Sequence, residues 1–528
     1  MTIGYIITMI LGAAVLLGIC IFIHELGHLL GGKMVGIKAR VFSIGYGKGV
    51  FKKQIGDTTY QLTLIPFGGY CQFYGDDPSE ERKGEPYEFL SAPPLKRIVP
   101  VVMGPLFNLF LGIILFFAMN MIGYDKETNR IIVLDDYKKA QQSAPATPAF
   151  KAGLKTGDRI IEINGNRVTD FFGVRGKVVF SHGKPLKVKA ERGGKVLDFT
   201  VQPERYSEKD YYTIGVMPYG DKIVLKGIVK NSTAARVGLR EYDEIRLLDG
   251  KAVKSPDEFV DYIRAHGGKE VSLTVFRSGK EMTVKAVPGV REEITVKQFE
   301  DPRFKGEKHD IVIRGEDKLG IIKKAIQDGK VKINGKPVKT FDEFKTVVAA
   351  LRGKPATLEN PGGVYSGVIS YQKFGFLGGE PAIAPEMVHI SYGVGEGFIR
   401  AFVEPYNFIV MNLKGIGMLI SGDLDVRQNI SGPILIAKIA GDTAYHKGLS
   451  QFILIMAQIS IILMVMNLLP IPMVDGSYVV FFLLEAVRGK PINDKLMEKI
   501  QMVGMVMLIL LGVFVIYNDI HKLIFGAW

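Results

Sequence analysis

The chain of 528 residues holds only two cysteines and one tryptophan. Cys20 lies in an apolar run and Cys71 in a basic segment, and no cysteine follows residue 71. A disulfide framework is therefore excluded, and the long stretch after residue 124 folds without one. Charge is missing from four stretches, residues 1–23, 98–124, 448–474 and 500–518. A membrane span needs ~20 mostly apolar residues, and each stretch meets that need. The first stretch lacks a basic leader and a small-residue cleavage site, which argues against a removed signal peptide and for a retained span. No nucleic-acid motif claims the net charge of +13.

With 47% hydrophobic residues and a mean hydropathy of +0.17, the chain is too apolar for a soluble protein and too polar for one that is nearly all membrane. The segments between the first two and the last two apolar stretches are rich in Lys and Arg, including Lys33, Lys52, Arg82, Arg488 and Lys490. Short basic loops stay in the cytoplasm. That rule puts both termini and the long middle segment on the other side of the membrane.

The middle segment repeats. "INGNRVTDFF" starts at Ile163, "LDGKAVKSPDEF" at Leu248 and "INGKPVKTFDEF" at Ile333, a spacing of 85 residues each time. Short β-type runs alternate with one helical patch in each copy, which predicts small α+β units. The first two copies carry "AFKAGLKTGDRIIEINGNRV" from Ala149 and "AARVGLREYDEIRLLDGKAV" from Ala234, which resemble bacterial PDZ domains. PDZ domains take an extended peptide as an added strand, so peptide C-termini are expected partners. "YTIGVMP" from Tyr212 looks like the carboxylate loop of the second copy. The third copy has "LGIIKKAIQDGKVKING" in place of the A-G-L-x-x-G-D stretch and reads as a degenerate unit.

"HELGH" sits where the first apolar stretch ends. On a helix, His24 and His28 share one face at i and i+4. Two neutral imidazoles in that arrangement can share one Zn²⁺ and leave Glu25 as a general base toward water. The bland reading is a pair of polar residues capping a span, but ionisable residues in spans are rare and usually functional. A third ligand candidate is Asp475, in "NLLPIPMVDGS" from Asn467. Pro470 and Pro472 interrupt that helix, and broken backbone at membrane depth needs a protein-enclosed or wet site. On residues alone, Asp475 reads equally well as a plain helix end in the cytoplasm. Cys20, one turn before His24, reads as an inert core thiol, because catalytic zinc keeps its fourth position for water.

Taken together, these motifs resemble the site-2 protease family of intramembrane zinc metalloproteases, of the regulator of sigma-E protease type, over nearly the whole chain. The resemblance implies zinc ligands at His24, His28 and Asp475 and a catalytic base at Glu25. It implies substrate handling by Asn467, Pro470 and Pro472. "GPLFNLFLG" from Gly104 is similar to a family motif, so Asn108 is the candidate to polarise the scissile carbonyl. Implied too are a bacterial inner-membrane location, single-span membrane protein substrates such as anti-sigma factors or leftover signal peptides, and a gating role for the external module. The family's usual L-D-G-G is Val474-Asp475-Gly476-Ser477 here.

The expected fold is a multi-span α-helical membrane protein of four spans with an inserted tandem of α+β PDZ-like domains. Its expected parts are a first span with HExxH (1–31), a β-rich cytoplasmic loop (32–96), a second span (97–124), PDZ-like units at 125–205, 206–290 and 291–384, amphipathic helices (385–447), a third span (448–474), a cytoplasmic loop (475–498) and a fourth span (499–520). Residues 401–424 are read as an interfacial helix rather than a fifth span, because Glu404, Pro405 and Lys414 interrupt them. In the loop, "RVFSIGYGKGVFKK" and "TTYQLTLIPFGGYCQF" alternate as strands, so an edge there can either pair with an unwound substrate or merely pack on the spans. Gln61 and Thr63 lie on the better-alternating strand. Two other classes compete: a membrane-anchored zinc protease with a soluble catalytic domain and a Glu ligand, and a non-catalytic PDZ scaffold or membrane chaperone. The scaffold needs no metal triad, and the anchored protease does not need Asp475 after a broken span.

Overall fold

The computed structural model describes residues 3–77, 81–136, 146–205, 211–300, 308–314, 316–351, 354–360 and 363–525. The chain forms two compact units. One comprises residues 1–133, 145–216 and 387–528, the other 134–144 and 217–386.

The first unit holds four helices long and apolar enough to cross a membrane, at Ile7–Val35, Pro94–Ile122, Gly448–Leu468 and Lys495–Leu523. Helix α1 (Ile3–Val35) runs unbroken through HELGH and ends two turns beyond His28. At 1.5 Å per residue it is ~50 Å long, well over a ~30 Å hydrocarbon core, so its last turns extend past the apolar zone. Strands β1 (Ala39–Ile55) and β2 (Thr58–Phe73) follow. Helix α2 (Pro94–Ile122) starts on proline, whose fixed φ suits a first turn, and packs along α1. After the inserted module come α3 (Val394–Ile420), α4 (Pro433–Asp442), α5 (Gly448–Leu468), α6 (Asp475–Arg488) and α7 (Asp494–Phe525).

Helix α3 is not among the four span-like helices. It buries only a stripe of Gly397, Ala401, Pro405 and Met418 against α2 and α5, the pattern of a one-faced helix. Arg97 of α2 makes a buried ion pair with Glu485 of α6 and stacks on the Phe482 ring at 4.6 Å, which ties α6 to α2. On α7, Asp519 accepts hydrogen bonds from the amides of Gly432, Ile434 and Leu435 at 2.8–3.0 Å, capping α4 from another helix.

The β1–β2 hairpin is folded over twice. Residues 39–46 are paired on both sides: Ser43 opposes Tyr70 and Gln61, and Phe42 opposes Cys71 and Tyr60. Residues 58–62 also pair with 51–55, as in Lys52 with Gln61. Gln61 is thus an interior position with neighbours on both sides. The edge beside α1 is the stretch 69–73.

The 85-residue spacing has a structural cause. Asp170, Ser255 and Thr340 each cap a short helix by accepting the amide three residues on, from Gly173, Glu258 and Glu343. Asn164, Asp249 and Asn334 each take a positive φ in a tight turn and accept an amide from the next strand, of Lys187, Ser272 and Thr357.

The organisation of the repeats differs from the tandem expected above. The loop from Tyr212 closes the first repeat, not the second: Ala149 donates to the Ile214 carbonyl at 2.8 Å, and Ile214 sits in the first repeat's core. In the second unit, Ala234 donates to Leu377 in the same way, and Leu377 lies in the second repeat's core. The closing strand Gly379–Ala384 pairs with Lys222–Ile228. The third repeat is therefore an insertion inside the second. Its base is the long ladder Gly289–Glu300 with Gly363–Phe376, which starts at the pair Gly289–Phe376. Each closing strand belongs at the C-terminal end of its own repeat and not at the start of the next copy.

Candidate metal centre

The i, i+4 spacing on α1 stacks the two imidazoles edge to face, with ring centroids 4.6 Å apart. Their Nε2 atoms lie 3.1 Å from each other. Asp475 Oδ2 lies 3.2 Å from His24 Nε2 and 3.6 Å from His28 Nε2. All three donor atoms fall within 4.8 Å of one another. Asp475 does not end the third apolar helix. The chain breaks after Leu468 and Asp475 is the first residue of α6, where the helix dipole favours a carboxylate.

Two glycines admit this geometry. A Cβ on Gly104 of α2 would lie 2.4 Å from the His28 ring, and one on Gly476 would lie 2.2 Å from the Leu469 carbonyl oxygen. Any side chain at Gly476 would push Asp475 away from the histidines. His28 Nδ1 lies 2.8 Å from the Pro100 carbonyl, an acceptor only, so Nδ1 carries the proton and Nε2 presents its lone pair.

Asn108 Nδ2 lies 3.3 Å from His24 Nδ1, and Asn467 Nδ2 lies 3.4 Å from His24 Nε2. Pro470 and Pro472 act on the backbone instead. Pro470 is exposed in the break between α5 and α6, and Pro472 packs against Gly504 of α7. Glu25 points from α1 toward the hairpin edge and accepts a hydrogen bond from the Cys71 amide. A Cβ on Gly69 of that edge would lie 3.1 Å from Glu25 Cγ. Neither cysteine belongs to the donor group. Cys20 is buried with its thiol 3.8 Å from the Met456 carbonyl, and burial pushes the Cys71 thiol up, away from the thiolate a metal needs.

The donors fit zinc. Asp475 Oδ2 is buried without a hydrogen-bond donor, facing two imidazole nitrogens. Such a group is costly unless a cation completes it. Two nitrogens and one carboxylate oxygen are a catalytic zinc set with the fourth position open. Sequence reasoning missed the partners that hold these residues. The Pro100 carbonyl and the Cys71 amide are backbone groups, which every residue type offers alike.

Two histidines and a glutamate on one membrane-length helix, met by an aspartate from another, fit the site of a membrane-embedded zinc metalloendopeptidase. Residues 12–511 match peptidase family M50, and the chain belongs to that family. Relatives include a Neisseria meningitidis protein carrying a zinc metalloprotease name, 29% identical over 514 residues covering 96% of this chain and 97% of that one. The regulator of sigma E protease of Haemophilus influenzae is 27% identical over 529 residues, again 96% and 97% of the two chains. The regulator of sigma-E protease RseP of Escherichia coli is 25% identical over 529 residues with the same coverage.

Proposed function

We propose that this protease cuts the transmembrane segments of single-span membrane proteins, with its metal centre near the cytoplasmic side and its PDZ-like units outside. The observation that carries this reading is the placement of the donors. His24, His28 and Asp475 all come from the apolar helical unit, so a substrate reaches them from the bilayer. The basic loops beside α1 and α6 support the orientation. Anti-sigma factors and leftover signal peptides are single-span proteins of the kind such a site accepts.

Zinc held by His24, His28 and Asp475 supplies Lewis acidity, which acidifies water and polarises a carbonyl. Glu25 is the base in this reading. Its carboxylate takes a proton from water as the oxygen attacks the scissile carbonyl, then returns that proton to the leaving amine. The Cys71 amide holds the carboxylate in place. Asn467, beside His24, is positioned to hold substrate.

A substrate helix hides its carbonyls, so it must unwind before it is cut. The edge at 69–73 lies beside Glu25 and is the place for the unwound segment to pair. Proline cannot donate to a ladder, and its test position follows from the pairing. Gln61 is interior, so proline there would break the sheet itself. Cys71→Pro removes the amide of this edge that donates to Glu25, so a slowing reports the loss of that contact or of the substrate ladder. It is expected to slow cleavage about tenfold or more relative to Cys71→Ala, with zinc content unchanged. Equal rates for the two variants would reduce the hairpin to packing.

Removal of metal tests the activity as a whole. Purified protein in detergent or proteoliposomes, stripped by a chelator, is expected to lose cleavage of a single-span test substrate and regain it with added Zn²⁺. Cleavage that persists in the stripped protein would overturn the reading.

A further inference from the structure

We propose that Asn108 is a positioning residue for His24, serving whichever ring tautomer the site requires, and does not act on the scissile carbonyl. The proposal rests on His24, His28 and Asp475 being the metal site.

Asn108 is completely buried on α2. Its own carbonyl accepts the Ser460 hydroxyl of α5 at 2.8 Å, which fixes its backbone between two helices. Its side chain faces His24 Nδ1, while His24 Nε2 faces Asp475 and His28. Its Oδ1 is buried with no hydrogen-bond partner. One amide atom thus fills a sealed position and the other faces His24, so neither is free to donate to a scissile carbonyl.

The tautomer decides which amide atom faces His24 and which lies in the sealed position. A cation at the three donors requires the lone pair on His24 Nε2, so Nδ1 must carry the proton and find an acceptor. Exchanging the amide's oxygen and nitrogen, which occupy nearly equivalent positions, turns Oδ1 toward Nδ1–H and gives it a donor. In the opposite tautomer Nε2–H would point toward Asp475 Oδ2, 3.2 Å away, and Nδ1 would accept from the Asn108 amide at 3.3 Å. Only a side chain with both a donor and an acceptor serves both states. His28 needs no such partner, because the Pro100 carbonyl holds it in the metal-ready tautomer. The two histidines are thus unequal. One is locked and the other is switched through α2.

The test is zinc affinity of the purified full-length protein, measured by competition with a chromophoric chelator, alongside cleavage at saturating zinc. Asn108→Leu is expected to weaken zinc binding 10- to 100-fold, the usual cost of losing such a partner. Asn108→Asp keeps the acceptor and is expected to bind zinc at least as tightly as the wild type. With zinc saturating, kcat of both variants should stay within a few-fold of the wild type. Wild-type zinc affinity in Asn108→Leu with kcat reduced ~100-fold or more would assign the amide to the carbonyl instead. Weakened binding by Asn108→Asp equal to that of Asn108→Leu would also overturn the proposal, and this arm stands even where the leucine variant fails to fold. A wild-type protein that binds no zinc would refute the metal site itself.

Discussion

Glu25→Gln is expected to retain a full complement of zinc and to lose cleavage by ~10²–10⁴-fold, the weight of a general base. Glutamine keeps the shape of the side chain and can still accept the Cys71 amide, but it cannot take a proton from water. Glu25 is outside the cluster of donor atoms, so its removal leaves the metal site intact. His24→Ala, His28→Ala and Asp475→Ala should behave in the opposite way. Each removes one of three donors and should empty the site, with cleavage lost as a consequence. Metal analysis beside a cleavage assay separates the two groups. A Glu25→Gln enzyme that cuts near the wild-type rate would remove Glu25 from the mechanism, and an Asp475→Ala protein with full zinc would remove Asp475 from the site.

The legible parts of this site are those in which spacing alone fixes geometry. His24 and His28 four apart on a helix can hardly fail to face one another. Asp475 was legible as an acid after a helix break, but not as the first residue of a new helix, since the turn through Met473 depends on a positive φ at a non-glycine residue. The role of Gly476 was hidden for the same reason: the close approach of the Leu468 and Leu469 carbonyls is a tertiary fact. The hairpin was readable as alternating strands. Its double fold was not, because residue alternation reports which face is buried and is silent on which strand lies beside which. The repeats show both sides of this limit. Caps and turn residues recur every 85 positions because they are local. The closing strands Val216–Pro218 and Gly379–Ala384 were not assignable, since the second is separated from its partner Lys222–Ile228 by the whole inserted repeat.

If the inserted module gates access as proposed, its excision is expected to let the protease cut membrane proteins with intact outer domains that the full chain leaves uncut. The structure shows where to cut. Tyr124–Glu127 pairs antiparallel with Met387–Ile390, with Glu127 opposite Met387, so the two ends of the module are already side by side. Replacing residues 128–386 by a short hairpin turn closes the chain without stretching it. The apolar helices and the three donors lie outside the excised segment, so zinc content should be unchanged. The ion pairs that the excision breaks are partly exposed ones, such as Lys126 with Asp170 at 3.6 Å and Arg205 with Asp423 at 3.2 Å. A second excision separates bulk from recognition. The ladder pair Gly289–Phe376 closes the base of the third repeat, so residues 290–375 can be removed alone, leaving the first two repeats whole. If the module excludes substrates by size, the full excision should admit them and the smaller one should do so only in part. If both excised proteins still reject substrates with intact outer domains while cutting trimmed ones, the PDZ-like units are not a gate, and selection is made at the hairpin edge beside Glu25.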